Sequence, residues 1–477
     1  MIDIEGALGS LPHFEKFCSV AELDALAESL RDDPRFTVEV AGTSEKGAPI
    51  YHVHFGQGAV KALFVGFVHC SEPIGGLTVY SLISLLKDGH PALVDANVEW
   101  HIVPCIDPDG AVLNEDWSQK PFDLASYMKC FHTQELDDQA DMTFPLQHKK
   151  LNFDRPTPEA LVLKRVIDTV LPDFYYSLHN ALAGGAFYFL THDIGKDRYQ
   201  EFYSLLEGSN LSLEKNIYHK VVCQEFGDSV LQMPSMSAFY DLYEQAGANP
   251  EELITCGESS GGYLARIKPD AQTLIVELPY LYHPLARSEK DTGQSLRQLK
   301  LRLDADNKFI ATVILEEWDR VKDDLDTESA FYRKASKSIL QSRDQLHEGL
   351  SASPEKTRDL LYNPAYARTM TESERFTQHT LRFYFLSHVY EFVRLLKISN
   401  QTERVRQAIA RLDGIFDEVL ADLELNIDAD RLEIVDCDTL ARIQLGTGFI
   451  TLNALLADRQ IRPHVAPASA LNSENVQ

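Results

Sequence analysis

Four residues of this chain combine a chemical type and a setting suited to hydrolysis. His69 and Glu72 stand three apart in the stretch FVGFVHCSEPIGG, where an apolar run gives way to a proline and a glycine pair. Imidazole nitrogen and carboxylate oxygen are good zinc ligands. A strand ending just before them would aim both at one point beyond a sheet edge, where ligands of open α/β sheets bind. A catalytic zinc site keeps three protein ligands and one open position, and His179, closing the apolar run FYYSL, supplies the third at another strand end. Glu277 lies inside LIVEL. A carboxylate in an apolar strand is costly to bury without a partner or a task, and beside a zinc-activated water its task is that of general base.

Spacing alone would not single these residues out. His-x-x-Glu occurs three times, as His69/Glu72, His132/Glu135 and His388/Glu391. The last falls on an amphipathic helical stretch, where such pairs are ordinary surface or core-edge features. His132/Glu135 sits in an acidic, loop-like stretch with no adjoining strand. Only the first has the strand, the proline and the glycine turn. A lone histidine at a strand end is usually just packed or solvated, and an acid on a strand face often just reaches water. It is the joint pattern that favours a metal site.

The elements that must position these residues follow from apolar periodicity. VKALFVGFV (60–68), VEWHIVPCI (98–106), FYYSL (174–178), AFYFLT (186–191) and TLIVEL (273–278) read as buried strands, with 36–40 and 49–55 as an opening antiparallel pair. Residues 21–30, 74–86 and 158–170 read as helices between them. Alternation of this kind predicts an α/β domain with a mixed sheet over residues 1–290. Residues 291–477 change texture: Ile310–Leu325, Leu381–Leu396 and Val405–Leu423 carry helical apolar stripes, which predicts an appended helical domain. Within it, 351–371 connects helices and the tail after Arg462 frays.

Composition bounds the partners. A formal charge of -27 over 477 residues argues against nucleic acid and anionic membrane. No apolar run in the sequence reads as long enough to span a bilayer. Seven scattered cysteines, without C-x-x-C, argue against a disulfide scaffold and against a thiolate zinc site. The chain therefore reads as a soluble protein of a reducing compartment, the cytoplasm.

Taken together, these blocks resemble the zinc carboxypeptidases (the carboxypeptidase A-like, M14, metallopeptidases). VAGTSEKGAPIYHVHFG is similar to the family's opening strand–turn–strand, and FVGFVHCSEPIGG to its H-x-x-E ligand block. Asp107-Pro108-Asp109-Gly110 resembles its N-P-D-G turn. Pro158-Glu159-Ala160 resembles the start of the helix before the third ligand, and Tyr176-Ser177-Leu178-His179 the strand that ends in it. Ser260-Gly261-Gly262 is similar to the specificity-pocket loop, and Ile275-Val276-Glu277-Leu278 to the strand of the catalytic glutamate. The blocks keep the family order across residues 21–285. The resemblance implies a mixed eight-stranded sheet flanked by helices, one Zn²⁺ per chain on His69, Glu72 and His179, and Glu277 as base. The helical region has no counterpart in it.

The sequence also departs from that pattern. Where the family carries an Asn-Arg or Asn-Arg-Asn-Phe segment that grips a substrate carboxylate, this chain reads His148-Lys149-Lys150-Leu151-Asn152-Phe153-Asp154, and no arginine occurs between Glu72 and Arg155. The family's oxyanion-stabilising arginine, expected before that segment, therefore has no direct match either, and Arg155 is its favoured catalytic stand-in among Lys120, Lys129, Lys149, Lys150 and itself, although lysine lacks arginine's bidentate fork. Asn152 and Lys150 are then expected to touch substrate. The family's mobile tyrosine is missing before Ser-Gly-Gly, so Tyr263 and Leu264 are expected to cover and line the pocket instead.

The resulting expectation is a metallocarboxypeptidase acting on a peptide or small amide substrate. Two other readings stay open: a zinc amidase or deacylase acting on a non-standard amide, and an inactive interaction module. In the last, the helical domain would bind a partner protein or a second copy of the chain.

Overall fold

The computed structural model describes residues 1–215, 217–347, 366–427 and 431–461. Its centre is a nine-stranded mixed sheet built from β1 (Phe36–Thr43), β2 (Pro49–Phe55), β3 (Val60–Val65), β4 (Val98–Val103), β5 (Phe174–Ser177), β6 (Phe187–Leu190), β7 (Glu225–Gly227), β8 (Val230–Gln232) and β9 (Gln272–Glu277), in the order β1-β2-β4-β3-β5-β9-β6-β8-β7. The main helices are α1 (Val20–Glu28), α2 (Ile74–Lys87), α3 (Pro158–Val170), α4 (Lys196–Leu206), α5 (Met236–Gln245), α6 (Ser260–Ile267), α7 (Leu296–Val321), α8 (Ala330–His347), α9 (Glu372–Ile398), α10 (Glu403–Ile427) and α11 (Cys437–Ile461).

The four middle strands β4, β3, β5 and β9 run parallel, so their C-terminal ends share one edge of the sheet. Parallel strands covered on both faces read as continuous apolar runs, and β3 shows why. Leu63 and Val65 turn to one face, beneath α3 and α6, whereas Ala62 and Phe64 turn to the other, beneath α2, α4 and α11. The antiparallel β1–β2 hairpin closes one side of the sheet. The short β7–β8 hairpin closes the other. That hairpin makes the sheet nine-stranded where eight strands were expected: strands of three residues are too short for period-two alternation to reveal them.

Helices α7–α10 form the predicted helical region: α7, α9 and α10 lie on the stripes read from the sequence, and α8 is a helix that no stripe announced. Leu381, counted in one of those stripes, is 59% exposed and marks the stripe's outer margin. Of the expected connector 351–371, only its end falls within the described residues, where Thr369–Thr371 pairs with Asp291–Ser295. The expected frayed tail after Arg462 lies outside them.

The last helix does not stay with the helical region. α11 returns to the sheet, packing against α2 and α4, with Phe449 against Trp100 and Gly448 against Tyr176. A Cβ on Gly448 would lie 2.8 Å from a Tyr176 ring carbon, so only glycine allows this approach. Residues 437–458 are long and apolar enough to cross a membrane by length and composition, which the sequence reading missed, yet 78% of the qualifying window is buried inside the protein. This helix is part of the core of the sheet domain, and α7–α10 fall between β9 and α11 in the chain.

Candidate metal centre

His69, Glu72, His179 and Glu277 converge at the C-terminal edge of the parallel strands. β3 ends at Val65, and the chain turns through Phe67, at φ 52°, into a tight loop in which the Glu72 N–H donates to the His69 carbonyl at 3.1 Å. Pro73 then caps α2. Gly75 and Gly76 are the first residues that let this helix start so close to the sheet. A Cβ on Gly75 would stand 3.1 Å from Leu178 Cβ and 3.3 Å from Gly66 Cα; one on Gly76 would stand 2.8 Å from the Phe67 ring. The glycine pair thus seats His69 and Glu72 beside the end of β5, where His179 follows.

The three potential ligands face one another. His69 Nδ1 lies 2.9 Å from Glu72 Oε1, and His179 Nδ1 lies 3.2 Å from Glu72 Oε2. The imidazole rings meet edge to face, with centroids 4.6 Å apart. One donor atom from each residue lies within 4.8 Å of the others. His179 Nδ1 is buried and makes no hydrogen bond despite the nearby carboxylate. A buried, unsatisfied ring nitrogen is costly, and a metal ion among these three donors removes the cost. Two nitrogens and a carboxylate are also the donor set of a catalytic zinc site, so the residues fit the ion.

A supporting layer that the sequence did not disclose fixes these ligands. Ser177 Oγ lies 3.1 Å from His179 Nε2, and Asp141 Oδ2 lies 3.7 Å from the same nitrogen. Asp141 is buried and accepts a hydrogen bond from Ser260, whose hydroxyl also meets Tyr175 at 2.7 Å. An acceptor at Nε2 holds the proton there and leaves the Nδ1 lone pair for a metal. The Asn180 N–H donates to Glu72 Oε2 at 3.2 Å, and Asn180 Oδ1 accepts from the Ile74 N–H at 3.3 Å. Gln444 on α11 donates Nε2–H to the His179 carbonyl at 2.6 Å.

The electrostatics suit a cation. Burial pushes the Glu72 carboxyl up, but His69 and His179 more than reverse this and hold it down at about 2. Glu277, the last residue of β9, is raised to about 7, first by burial and then by Glu72; His179 and His69 oppose the rise. Three carboxylates, Glu72, Glu277 and Asp141, therefore surround two imidazoles in a pocket of low dielectric. The group with the raised pKa is the one expected to handle protons, and the group with the lowered pKa is an expected ligand.

The other residues expected to serve the site are placed elsewhere. Lys150 is exposed at the turn between short strands Leu146–His148 and Leu151–Phe153. Its neighbour Lys149 pairs with Asp241 and Glu244 on α5, at 2.8 and 2.5 Å. Asn152 is exposed on the same hairpin, and exposed Arg155 lays its guanidinium over the Phe153 ring at 5.2 Å. Tyr263 and Leu264 are buried on α6, against α3: Tyr263 donates to Asp168 at 2.6 Å, and Leu264 is fully enclosed in the core. The helix begins at Ser260 itself, so one turn later these two side chains face inward and do not cover or line a pocket. Among the described residues, no hydrogen bond or ion pair joins any of the five to the metal-ligand cluster.

The two unused His-x-x-Glu pairs contribute to one contact. His132 Nδ1 of the second lies 3.3 Å from Glu391 Oε2 of the third, both buried, so the halves meet across the junction between the sheet domain and α9. Glu135 turns to Lys334 on α8, at 2.8 Å.

No known family pattern matches the sequence, and no curated protein matches it either. Among solved structures, the chain is similar to the metallo-carboxypeptidase from Burkholderia cenocepacia, with 16% identity over 55% of this chain and 60% of that one, at a TM-score of 0.33. It is also similar to the carboxypeptidase A from Helicoverpa armigera, with 16% identity over 58% and 69% of the two chains, at a TM-score of 0.38. A third is the metallo-carboxypeptidase from Pseudomonas aeruginosa, with 15% identity over 55% and 60%, at a TM-score of 0.32. The chain thus spans about 60% of the first of these structures. At these values the likeness says nothing about the reaction.

Proposed function

We propose that this protein is a zinc-dependent hydrolase of peptide or amide bonds, with His69, Glu72 and His179 as the metal ligands and Glu277 as the general base. The observation that carries this reading is the convergence of His69, Glu72 and His179, with one donor atom of each within 4.8 Å of the others and His69 Nε2 buried without a hydrogen bond, at the edge where β9 ends in Glu277. A zinc ion bound there would act as a Lewis acid and bring the pKa of water to about 7.

This chain's own residues account for the rest. Ser177 and Asp141 keep the His179 proton on Nε2, and Asn180 fixes one carboxylate oxygen of Glu72. Glu277 would accept a proton at its carboxylate and return it to the leaving amine, as a positioned carboxylate can. Such positioned proton transfer contributes about 10²–10⁴-fold in rate.

The substrate's end is a finer matter. Removal of C-terminal residues is the simplest version of the reaction. A second version is favoured by one observation: the cations that would stand in for a carboxylate grip are exposed or engaged elsewhere. Lys149 is tied to α5, Lys129 pairs with Asp417 at 2.7 Å, and Arg155 stacks on Phe153. In that version the enzyme cleaves an amide whose substrate carries no free α-carboxylate. Parallel digestion of one peptide series with free and with amidated C-termini separates the two. Cleavage of free peptides only identifies a carboxypeptidase; equal cleavage of both identifies the broader amidase; cleavage of neither overturns the proposal.

A further inference from the structure

A second group of metal-binding residue types lies on the sheet itself, away from the strand ends. On β2 and β4, which run antiparallel, His54 is paired with His101; on β1 and β2, Glu39 is paired with His52. Side chains alternate across a strand, so Glu39, His52, His54, Glu99 and His101 all stand on one face. Further along that face Ile50, Leu63 and Val103 are buried beneath α3. The rings are stacked: His54 on His101 at 4.7 Å and His52 on His101 at 5.2 Å between centroids, each pair 17° from parallel.

The contacts within this group are short of one positive charge. Glu39 Oε1 lies 2.8 Å from His52 Nδ1, His52 Nε2 lies 3.0 Å from His101 Nδ1, and His101 Nε2 lies 3.0 Å from Glu99 Oε1. Each contact needs one hydrogen. Ionised carboxylates only accept, and two neutral imidazoles bring one N–H each. One contact of the three is therefore left with lone pairs facing each other. His54 adds a further nitrogen: its Nε2 is buried without a hydrogen bond, 3.5 Å from the same Glu99 oxygen. A proton could supply the charge, but His52 and His101 are only 7% and 6% exposed, and Lys61 stands beside Glu99 on β3. Burial disfavours an imidazolium.

We propose that His54, Glu99 and His101 form a second metal site, for a divalent transition ion of zinc's type. Donor atoms of the three lie within 4.8 Å of one another. With the ion on His101 Nε2, the ring's proton sits on Nδ1 and is donated to His52 Nε2, and His52 gives its own to Glu39. Two neutral rings then satisfy every contact, and the Glu39–His52 pair fixes the tautomer of the ligating His101. Imidazole and carboxylate suit zinc and its neighbours better than calcium or magnesium. Side-chain exposures of 30% for His54 and 20% for Glu99 leave an entry path from solvent. The ion ties β2 to β4 and so anchors the edge hairpin.

The test is zinc content of the full-length protein after chelation, reloading and removal of excess, in wild type, His54→Asn, His101→Asn and His69→Ala. The expected result is one equivalent more in wild type than in either asparagine variant, with that equivalent kept in His69→Ala. Unfolding midpoints of His69→Ala with and without zinc give a second readout, and zinc should raise them. If His54→Asn, the more exposed and milder change, folds and binds as much zinc as wild type, the second site does not exist. Failure of the strand-end site alone would look different: wild type would bind one equivalent, lost in His54→Asn and kept in His69→Ala. Zinc lost entirely from His69→Ala, with no change in its unfolding, overturns the second site even should both asparagine variants misfold.

Discussion

The side-chain amide of Gln444 donates to the backbone carbonyl of His179 at 2.6 Å, across 265 positions of sequence. The same amide's oxygen accepts from Thr78 on α2 at 2.5 Å, so α11 holds the proposed ligand His179 and the helix that follows Glu72 in one grip. Gln444 is fully buried, and neither group it serves has water as an alternative. Thr78 keeps the Ile74 carbonyl as an acceptor at 3.1 Å, so Gln444→Ala should cost about 1–3 kcal/mol chiefly through the His179 carbonyl it abandons. Denaturant unfolding measures that loss. Zinc affinity should fall with it, whereas an indifferent site would keep its affinity.

Asp141 makes a more local case. It stands behind His179 without facing the ligand atoms, so its removal should leave the fold in place and loosen the metal. Changes to such supporting groups typically cost about 10–100-fold in metal affinity. Asp141→Asn, assayed by competition with a chromogenic chelator, should fall in that range.

The elevated Glu277 carboxyl makes a stability prediction that is independent of substrate. Its pKa in the folded state is raised from the ordinary value to about 7. Such a group contributes stability that is fully present below the unfolded pKa and is lost as pH rises through about 7. Metal-free Glu277→Gln should therefore be more stable than metal-free wild type at pH 8, by about 1–3 kcal/mol after allowance for partial exposure. At pH 4 the two should match. Thermal unfolding at both pH values checks the sign.

Where the sheet meets the helical region, Glu391 on α9 accepts the Thr133 N–H at 3.2 Å and faces His132 at 3.3 Å, wholly buried. On α8, Lys334 and Lys337 hold Glu135, Asp137 and Asp138. The helical region thereby grips the segment that leads to Asp141. Glu391→Ala strands the Thr133 N–H, which should cost about 1–3 kcal/mol in urea unfolding, and zinc affinity should weaken as the segment loosens.

What the sequence disclosed was what local runs encode. The apolar stretch before His69 is β3, the glycine pair is the tight entry to α2, and the run before His179 is β5; each needs only its neighbours to be read. Asp141, Asn180 and Gln444 were not legible because their roles come from long-range packing. Asp141 lies in a short 3-10 turn without periodicity, and Gln444 looks like one polar residue on an apolar helix. Tyr263 and Leu264 misled for the opposite reason: proximity in sequence to Ser-Gly-Gly says nothing about which way a helix starting at Ser260 turns them. The histidines of β2 and β4 were invisible until the register of the two strands brought them together.

Metal-assisted hydrolysis with Glu277 handling the proton is the central proposal. The most direct measurement is release of amines from a mixed library of free and amidated peptides, by zinc-loaded wild type and by zinc-loaded Glu277→Gln, with zinc content verified in both. Cleavage by wild type should fall about 10²–10⁴-fold in the variant, with the metal retained. Equal cleavage by the two proteins would contradict the proposal, as would loss of zinc-dependence in the wild type.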